Sequence, residues 1–150
     1  MKVIPYLIFS GNAEEVMNFY VDTLDAKIEL INRFGDSPMP STEEQKNQIL
    51  HARFTIGDSL IMTSDGRAGE SYTGDNISLS VDFSDVNEMK EKFDKLGAGG
   101  EITMPVQDTF WGATFGMLTD KYGIHWMFNC DKKPGSLTTN TAEKTLDITG

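Results

Sequence analysis

Two histidines, His51 and His125, are the only imidazoles in the chain. Imidazole ligates divalent metals and titrates near neutrality, so the pair could bind a metal or move protons. Each falls in a predicted strand. Alternation sets His125 on one face with Met127, while Ile124, Trp126 and Phe128 take the other. By the same rule His51 shares a face with Arg53 and Thr55, opposite Ala52, Phe54 and Ile56. Arg53 could hold an anionic substrate, and Asp65 or Asp120 could orient a histidine. The competing reading makes each histidine a hydrogen-bonded strand residue. It makes Asp120, in Asp120-Lys121-Tyr122-Gly123, a turn aspartate bonded to its own backbone. There is no HExxH, no CxxC and no tight His/Asp cluster, so metal ligands would have to come from distant strands.

Other chemistry is sparser. Phe110-Trp111-Gly112-Ala113-Thr114-Phe115-Gly116 interleaves bulky aromatics with glycine. That suits the wall of a ligand cup, a subunit interface or plain core packing, and with Tyr122 and Trp126 it offers stacking surfaces for a planar or apolar ligand. Met39, Met62, Met104, Met117 and Met127 would line an adaptable pocket or fill core. Gly99-Gly100, Gly112 and Gly116 form no phosphate-loop pattern. Ser10, Ser64 and Ser78 lack a nucleophile-elbow context. Cys130 is the single cysteine, which excludes an intrachain disulfide and reads as a buried, inert thiol.

The elements that must position these residues come in two matching sets. Lys2–Phe9 reads as a strand. Asn12 can cap the helix at Ala13–Leu24, whose Val16, Phe19, Tyr20 and Leu24 form one stripe. Ala26–Phe34 is a second strand, and Gly35–Gln48 a polar loop with a helical turn near Thr42–Lys46. Ile49–Ile56 and Ser59–Thr63 form a hairpin about Gly57-Asp58. The second set runs Ile77–Phe83, a helix at Asp85–Leu96 ended by Gly97–Gly100, then Glu101–Gln107, Ala113–Thr119 and Ile124–Asn129. One constant shift carries Asn12 onto Asp85, Glu15 onto Glu88, Val16 onto Met89 and Tyr20 onto Phe93. Such duplication predicts an α+β fold of two βαβββ modules, residues 2–65 and 75–130, with curved mixed sheets around a concave cup. Small ligands favour concave, partly apolar surfaces. The candidates for lining the cup are His51, Arg53, Phe110, Trp111, His125 and Met127. Residues 131–150 form a polar tail that cannot bury enough to pack alone.

With 150 residues, 39% of them apolar, the chain suits one compact domain or two joined half-domains. A formal charge of −10 argues against nucleic acid and anionic membrane as partners. No apolar run approaches the roughly 20 residues of a membrane span. The N-terminus lacks a secretory pattern, so a cytoplasmic location is expected.

The pieces Pro5-Tyr6-Leu7, Gly11-Asn12-Ala13-Glu14-Glu15 and Asn18-Phe19-Tyr20 also carry a family likeness. So do His51-Ala52-Arg53-Phe54, Ile56-Gly57-Asp58-Ser59, Ser64-Asp65, Trp111-Gly112, Phe115-Gly116, Asp120, Tyr122-Gly123 and Trp126-Met127. Together, over residues 2–130, the chain resembles the PhnB-like branch of the vicinal oxygen chelate superfamily, also labelled 3-demethylubiquinone-9 3-methyltransferase-like. The superfamily includes glyoxalases, extradiol dioxygenases and bleomycin-resistance proteins. The resemblance implies one domain at 1–130 built of paired βαβββ modules, usually as a homodimer. It also implies that metal enzymes of the superfamily place ligands on the first and last strand of each module. Those positions fall at Pro5, at Ser78 or Asn76, and near Ile61 and Met127. Such residues cannot supply the ligands a divalent metal wants, so neither metal nor other cofactor is expected; His51 with His125 is the remaining alternative for a divalent ion. The leading expectation is a small-molecule-binding protein. An enzyme with a divergent site around His51 and His125, and a structural or regulatory dimer, are the alternatives.

Overall fold

The computed structural model describes residues 1–66 and 73–132. Residues 67–72, between the two expected modules, and 133–150 of the expected tail at 131–150 lie outside them; Asp131, expected in the tail, ends a strand. The chain divides into two units, Met1–Thr73 and Gly74–Gly150. Each is built on the same plan, an α+β fold with a βαβββ module and a mixed sheet.

In the first module the order is β1 (Tyr6–Phe9), α1 (Ala13–Leu24), β2 (Lys27–Arg33), β3 (Ile49–Ile56) and β4 (Ser59–Asp65). The sheet runs β1-β4-β3-β2. β1 lies parallel to β4, and the other pairs are antiparallel. The expected first strand is shorter than its apolar run, beginning at Tyr6. The loop after β2 holds a 3-10 turn at Phe34–Asp36. The expected turn near Thr42–Lys46 is present, with Lys46 N–H donating to the Thr42 carbonyl at 3.1 Å.

In the second module the order is β5 (Leu79–Phe83), α2 (Val86–Gly97), β6 (Glu101–Asp108), β7 (Ala113–Thr119) and β8 (His125–Asp131). Its sheet runs β5-β8-β7-β6, with β5 parallel to β8. α2 ends as expected of glycine: Gly99, at φ 81°, takes the left-handed region, and Gly100 N–H donates to the Gly97 carbonyl.

Each helix covers one face of its own sheet. Val16, Met17, Tyr20 and Leu24 of α1 are buried with Ala52, Phe54, Ile61 and Thr63 of β3 and β4. The Tyr20 and Phe54 rings lie 6.0 Å apart. Met89, Phe93 and Leu96 of α2 are buried with Leu118, Trp126, Phe128 and Cys130. Phe93 meets Phe128 edge to face at 5.5 Å. Gly116 makes room for this contact, because a Cβ there would stand 2.9 Å from the Phe93 ring. Burying such side chains contributes about 1.5–3 kcal/mol each and fixes which sheet face remains open.

Candidate functional site

With α1 on one side, the alternate residues of the first sheet form an open face. One row crosses all four strands: Tyr6 pairs with Met62, Met62 with Arg53, and Arg53 with Leu30. Ile8 extends the row along β1. Tyr6, Ile8 and Leu30 keep 42%, 53% and 40% of their surface exposed, which is unusual for apolar residues in a formed sheet. His51 lies on the same face two residues before Arg53. Its Nδ1 sits 3.1 Å from the Tyr6 hydroxyl, with the rings 5.8 Å apart. The His51 Nε2 has no hydrogen-bond partner among the described residues.

The two described arginines differ. Arg33 holds Glu14 through two parallel bonds, at 2.8 and 2.9 Å. That guanidinium keeps the Glu14 carboxyl below the usual carboxylate range, through the hydrogen bonds first and charge attraction second. Arg53 is exposed and forms no ion pair among the described residues.

In the second module the open face carries Met127 in register with Ser80 on one side and Met117 on the other, and Met117 with Met104. His125 shares the Met127 face as expected, but its ring is engaged at both nitrogens. Nε2 lies 2.8 Å from the Gly74 carbonyl, and Nδ1 lies 2.8 Å from the Thr119 hydroxyl. A carbonyl only accepts, so Nε2 carries the proton and Nδ1 accepts from Thr119 in the neutral ring. His125 ties the end of β7 to the coil that precedes β5. The reading that set it beside His51 as a metal ligand or proton carrier therefore loses its second member.

Phe110 and Trp111 cap the turn between β6 and β7. Thr109 N–H and hydroxyl both donate to the Ala113 carbonyl, and Lys132 N–H donates to the Gly112 carbonyl. Phe110 is 88% and Trp111 53% exposed. Phe110 meets Trp111 at 5.2 Å, and Trp111 meets Phe115 at 5.7 Å, both edge to face. Phe115 pairs with Asn129 and Gln107, on the same side of the sheet as Met117. The aromatic string thus reaches the edge of the open face through Trp111.

The aspartates considered as partners for a histidine serve other groups. Asp65, buried at the end of β4, accepts from Gly11 N–H and Ala13 N–H with Oδ1, at 2.8 and 3.0 Å, and from Ile49 N–H with Oδ2 at 2.7 Å. It caps α1 from across the sheet, and the expected cap Asn12 makes no side-chain cap bond. In the second module Asp85 caps its own helix through Asn87 N–H. Cys130 there pairs with Phe83 as Asp65 pairs with Phe9, so a buried thiol stands where the first module has its capping carboxylate. Burial pushes that thiol up, away from the reactive thiolate. Asp120 accepts from Tyr122 and Ile124 N–H and from the Trp126 indole at 2.9 Å, making it the turn aspartate with an added grip on the core.

The positions where metal ligands would fall can now be placed. Ile61 faces α1, and its neighbour Met62 faces outward; Tyr6 opposite Met62 matches Ser80 opposite Met127. By register it is Met62, and not Ile61, that corresponds to Met127. Pro5 and Ser78 lie just before β1 and β5. A proline ring, a hydroxyl and two thioethers do not fit a divalent metal that wants imidazole or carboxylate. Among the described residues no group of three or more His, Cys, Asp or Glu could hold a metal ion. No helix among them is long and apolar enough to cross a membrane.

Residues 1–128 match the family described as 3-demethylubiquinone-9 3-methyltransferase. The chain is 35% identical over 143 residues to protein YjdN of Escherichia coli, covering 89% of this chain and 97% of that one. A protein of Pseudomonas aeruginosa, PA1353, has a solved structure with a TM-score of 0.79 at 37% identity, covering 89% of this chain and 99% of that one. A putative 3-demethylubiquinone-9 3-methyltransferase, PhnB protein, from Bacillus cereus gives 0.72 at 32% identity, covering 87% and 99%. The chain therefore belongs to the PhnB-like, 3-demethylubiquinone-9 3-methyltransferase family, with the glyoxalase/bleomycin-resistance fold.

Proposed function

We propose that this chain is a small-molecule-binding protein whose ligand lies on the open face of the first sheet. The supporting observation is the row Tyr6–Met62–Arg53–Leu30, which leaves apolar surface in water around an arginine and an imidazole. Leaving apolar surface hydrated gives up stabilisation of about 25 cal/mol per Å², which a ligand covering it recovers. The second-module candidates Trp111 and Met127 offer a softer, aromatic-edged surface for the same class of molecule. The proposal includes a homodimer in the cytoplasm, with Phe110 as a contact, because so exposed a phenyl ring gains by being covered. Light scattering on the purified chain should give twice the chain mass, and Phe110→Ser should lower it; a monomer throughout removes the dimer from the proposal.

The ligand test is a thermal-shift and native mass-spectrometry screen of metabolite and drug libraries. A specific ligand should raise the melting temperature, by mass action equivalent to about 2.7 kcal/mol at a hundredfold excess over Kd. Absence of any shift or adduct across the libraries contradicts the proposal.

A second reading, an enzyme with a divergent site, draws support from the Tyr6–His51 pair alone. A tyrosine hydroxyl on Nδ1 orients the ring and leaves Nε2 to accept or deliver a proton. Methyl transfer, named in the family's description, is not part of either reading.

A further inference from the structure

We propose that the open face of the first module is specific for a small organic oxyanion with an apolar, ring-sized body, and that Arg53 holds the anion. The inference rests on the small-molecule reading above and narrows it to a ligand class.

Charge makes the position of Arg53 informative. The chain holds 23 acidic against 13 basic side chains, so a cation without a carboxylate is the less expected arrangement. Five of the other described cations are paired, Arg33 with Glu14, Lys46 with Glu43, Lys92 with Glu88, Lys95 with Glu91 and Lys132 with Asp108, while Lys2, Lys27 and Lys90 are exposed surface lysines without a salt bridge among the described residues. Arg53 stands on an inner strand, between Met62 on β4 and Leu30 on β2, with no acidic residue in register on either side. Glu29 is the extra residue of the bulge between Ile28 and Leu30, so it lies beside Leu30 across from Arg53, yet the two form no ion pair. The guanidinium is thus left with its planar fork of donors facing outward from an apolar row. That fork matches a carboxylate or phosphate through two parallel hydrogen bonds.

The surroundings define the rest of the ligand. Met62, Leu30, Tyr6 and Ile8 give the face its apolar extent, about four strands wide at roughly 4.8 Å per strand, enough for a ring. The flexible Met62 thioether, in register between Tyr6 and Arg53, adapts to its shape. His51, oriented by the Tyr6 hydroxyl, adds a polar group on the same face beside Arg53. The predicted ligand therefore has its oxyanion at β3 and its ring toward β1.

The test is a 15N-HSQC titration of the full-length protein with phenylacetate, phenyl phosphate and the neutral phenylacetamide. The same titrations are run on Arg53→Gln and Arg53→Lys. Arg53 is exposed, so both variants should retain the wild-type spectrum elsewhere. The anions should bind roughly tenfold or more tightly than the amide, as a charge-assisted bond is worth about that ratio. Arg53→Gln should abolish the preference, and Arg53→Lys should restore only part of it because lysine lacks the fork. Equal binding of anion and amide, or an anion preference that survives Arg53→Gln, overturns the role of Arg53 while leaving small-molecule binding intact. No binding of any of the three probes overturns the ligand class, and the library screen decides the broader reading separately.

Discussion

Asp65 accepts three backbone N–H groups while almost wholly buried, one at the start of α1, one in the turn before it and one at the start of β3. Asp65→Ala would leave these donors without their acceptor. A lost buried hydrogen-bond partner costs about 1–3 kcal/mol, so urea denaturation should show a loss of at least that size. Asn12→Ala should cost little, under roughly 0.5 kcal/mol, because Asn12 makes no cap bond. The reverse order would contradict the assignment of the cap. Glu14 offers a second test. Its folded-state carboxyl titrates below the ordinary value because of Arg33. The pair's stabilisation is therefore present above the unfolded carboxyl value and is lost as pH falls through the folded one. Glu14 is 44% exposed, which limits the effect to at most about 1 kcal/mol. Glu14→Gln should lower stability at pH 7 and converge with the wild type as acid protonates the folded carboxyl; a difference that stays constant through the acid range would contradict the ion pair.

At the scale of elements, periodicity made most of the architecture legible. The outward direction of His51, Arg53, His125 and Met127 is a property of local repeats and holds in the structure, as do Val16, Tyr20 and Leu24 of the expected α1 stripe; its fourth member, Phe19, is only half-buried, and Met17 is buried instead. Other features depend on groups distant in sequence. Asp65 follows the hairpin as a plain polar residue, and nothing local shows that it reaches Gly11 and Ala13. The choice between Ile61 and Met62 turns on a single residue of register, which exchanges one sheet face for the other. His125 looked available because alternation gives direction only; its bonds to Thr119 and Gly74 come from strand pairing and chain return. Gly116 belongs to this scale too. A Cβ there would meet Phe93 at 2.9 Å and Val106 at 3.0 Å, between helix and sheet. Gly116→Ala should destabilise the protein by about 1–3 kcal/mol, the usual range for overpacking. Chemical denaturation checks this, and a neutral result would mean that Phe93 can yield.

For the whole chain, one plan used twice has been given different chemistry in its two copies. In the first, a capping carboxylate, Asp65, stands where the second has a buried thiol, Cys130. The outward row reads Tyr6–Met62–Arg53–Leu30 in the first and Ser80–Met127–Met117–Met104 in the second. Among the described residues, only the first combines a cation, an oriented imidazole and exposed apolar groups, and so it carries the proposed ligand. The most direct measurement is chemical-shift mapping with whichever compound from the library screen gives the largest thermal shift. The account predicts shifts centred on Tyr6, Ile8, Leu30, His51, Arg53 and Met62, with Tyr20, Phe54 and the other α1-facing residues little changed. Shifts confined to the helix face, or to the second module, would contradict it.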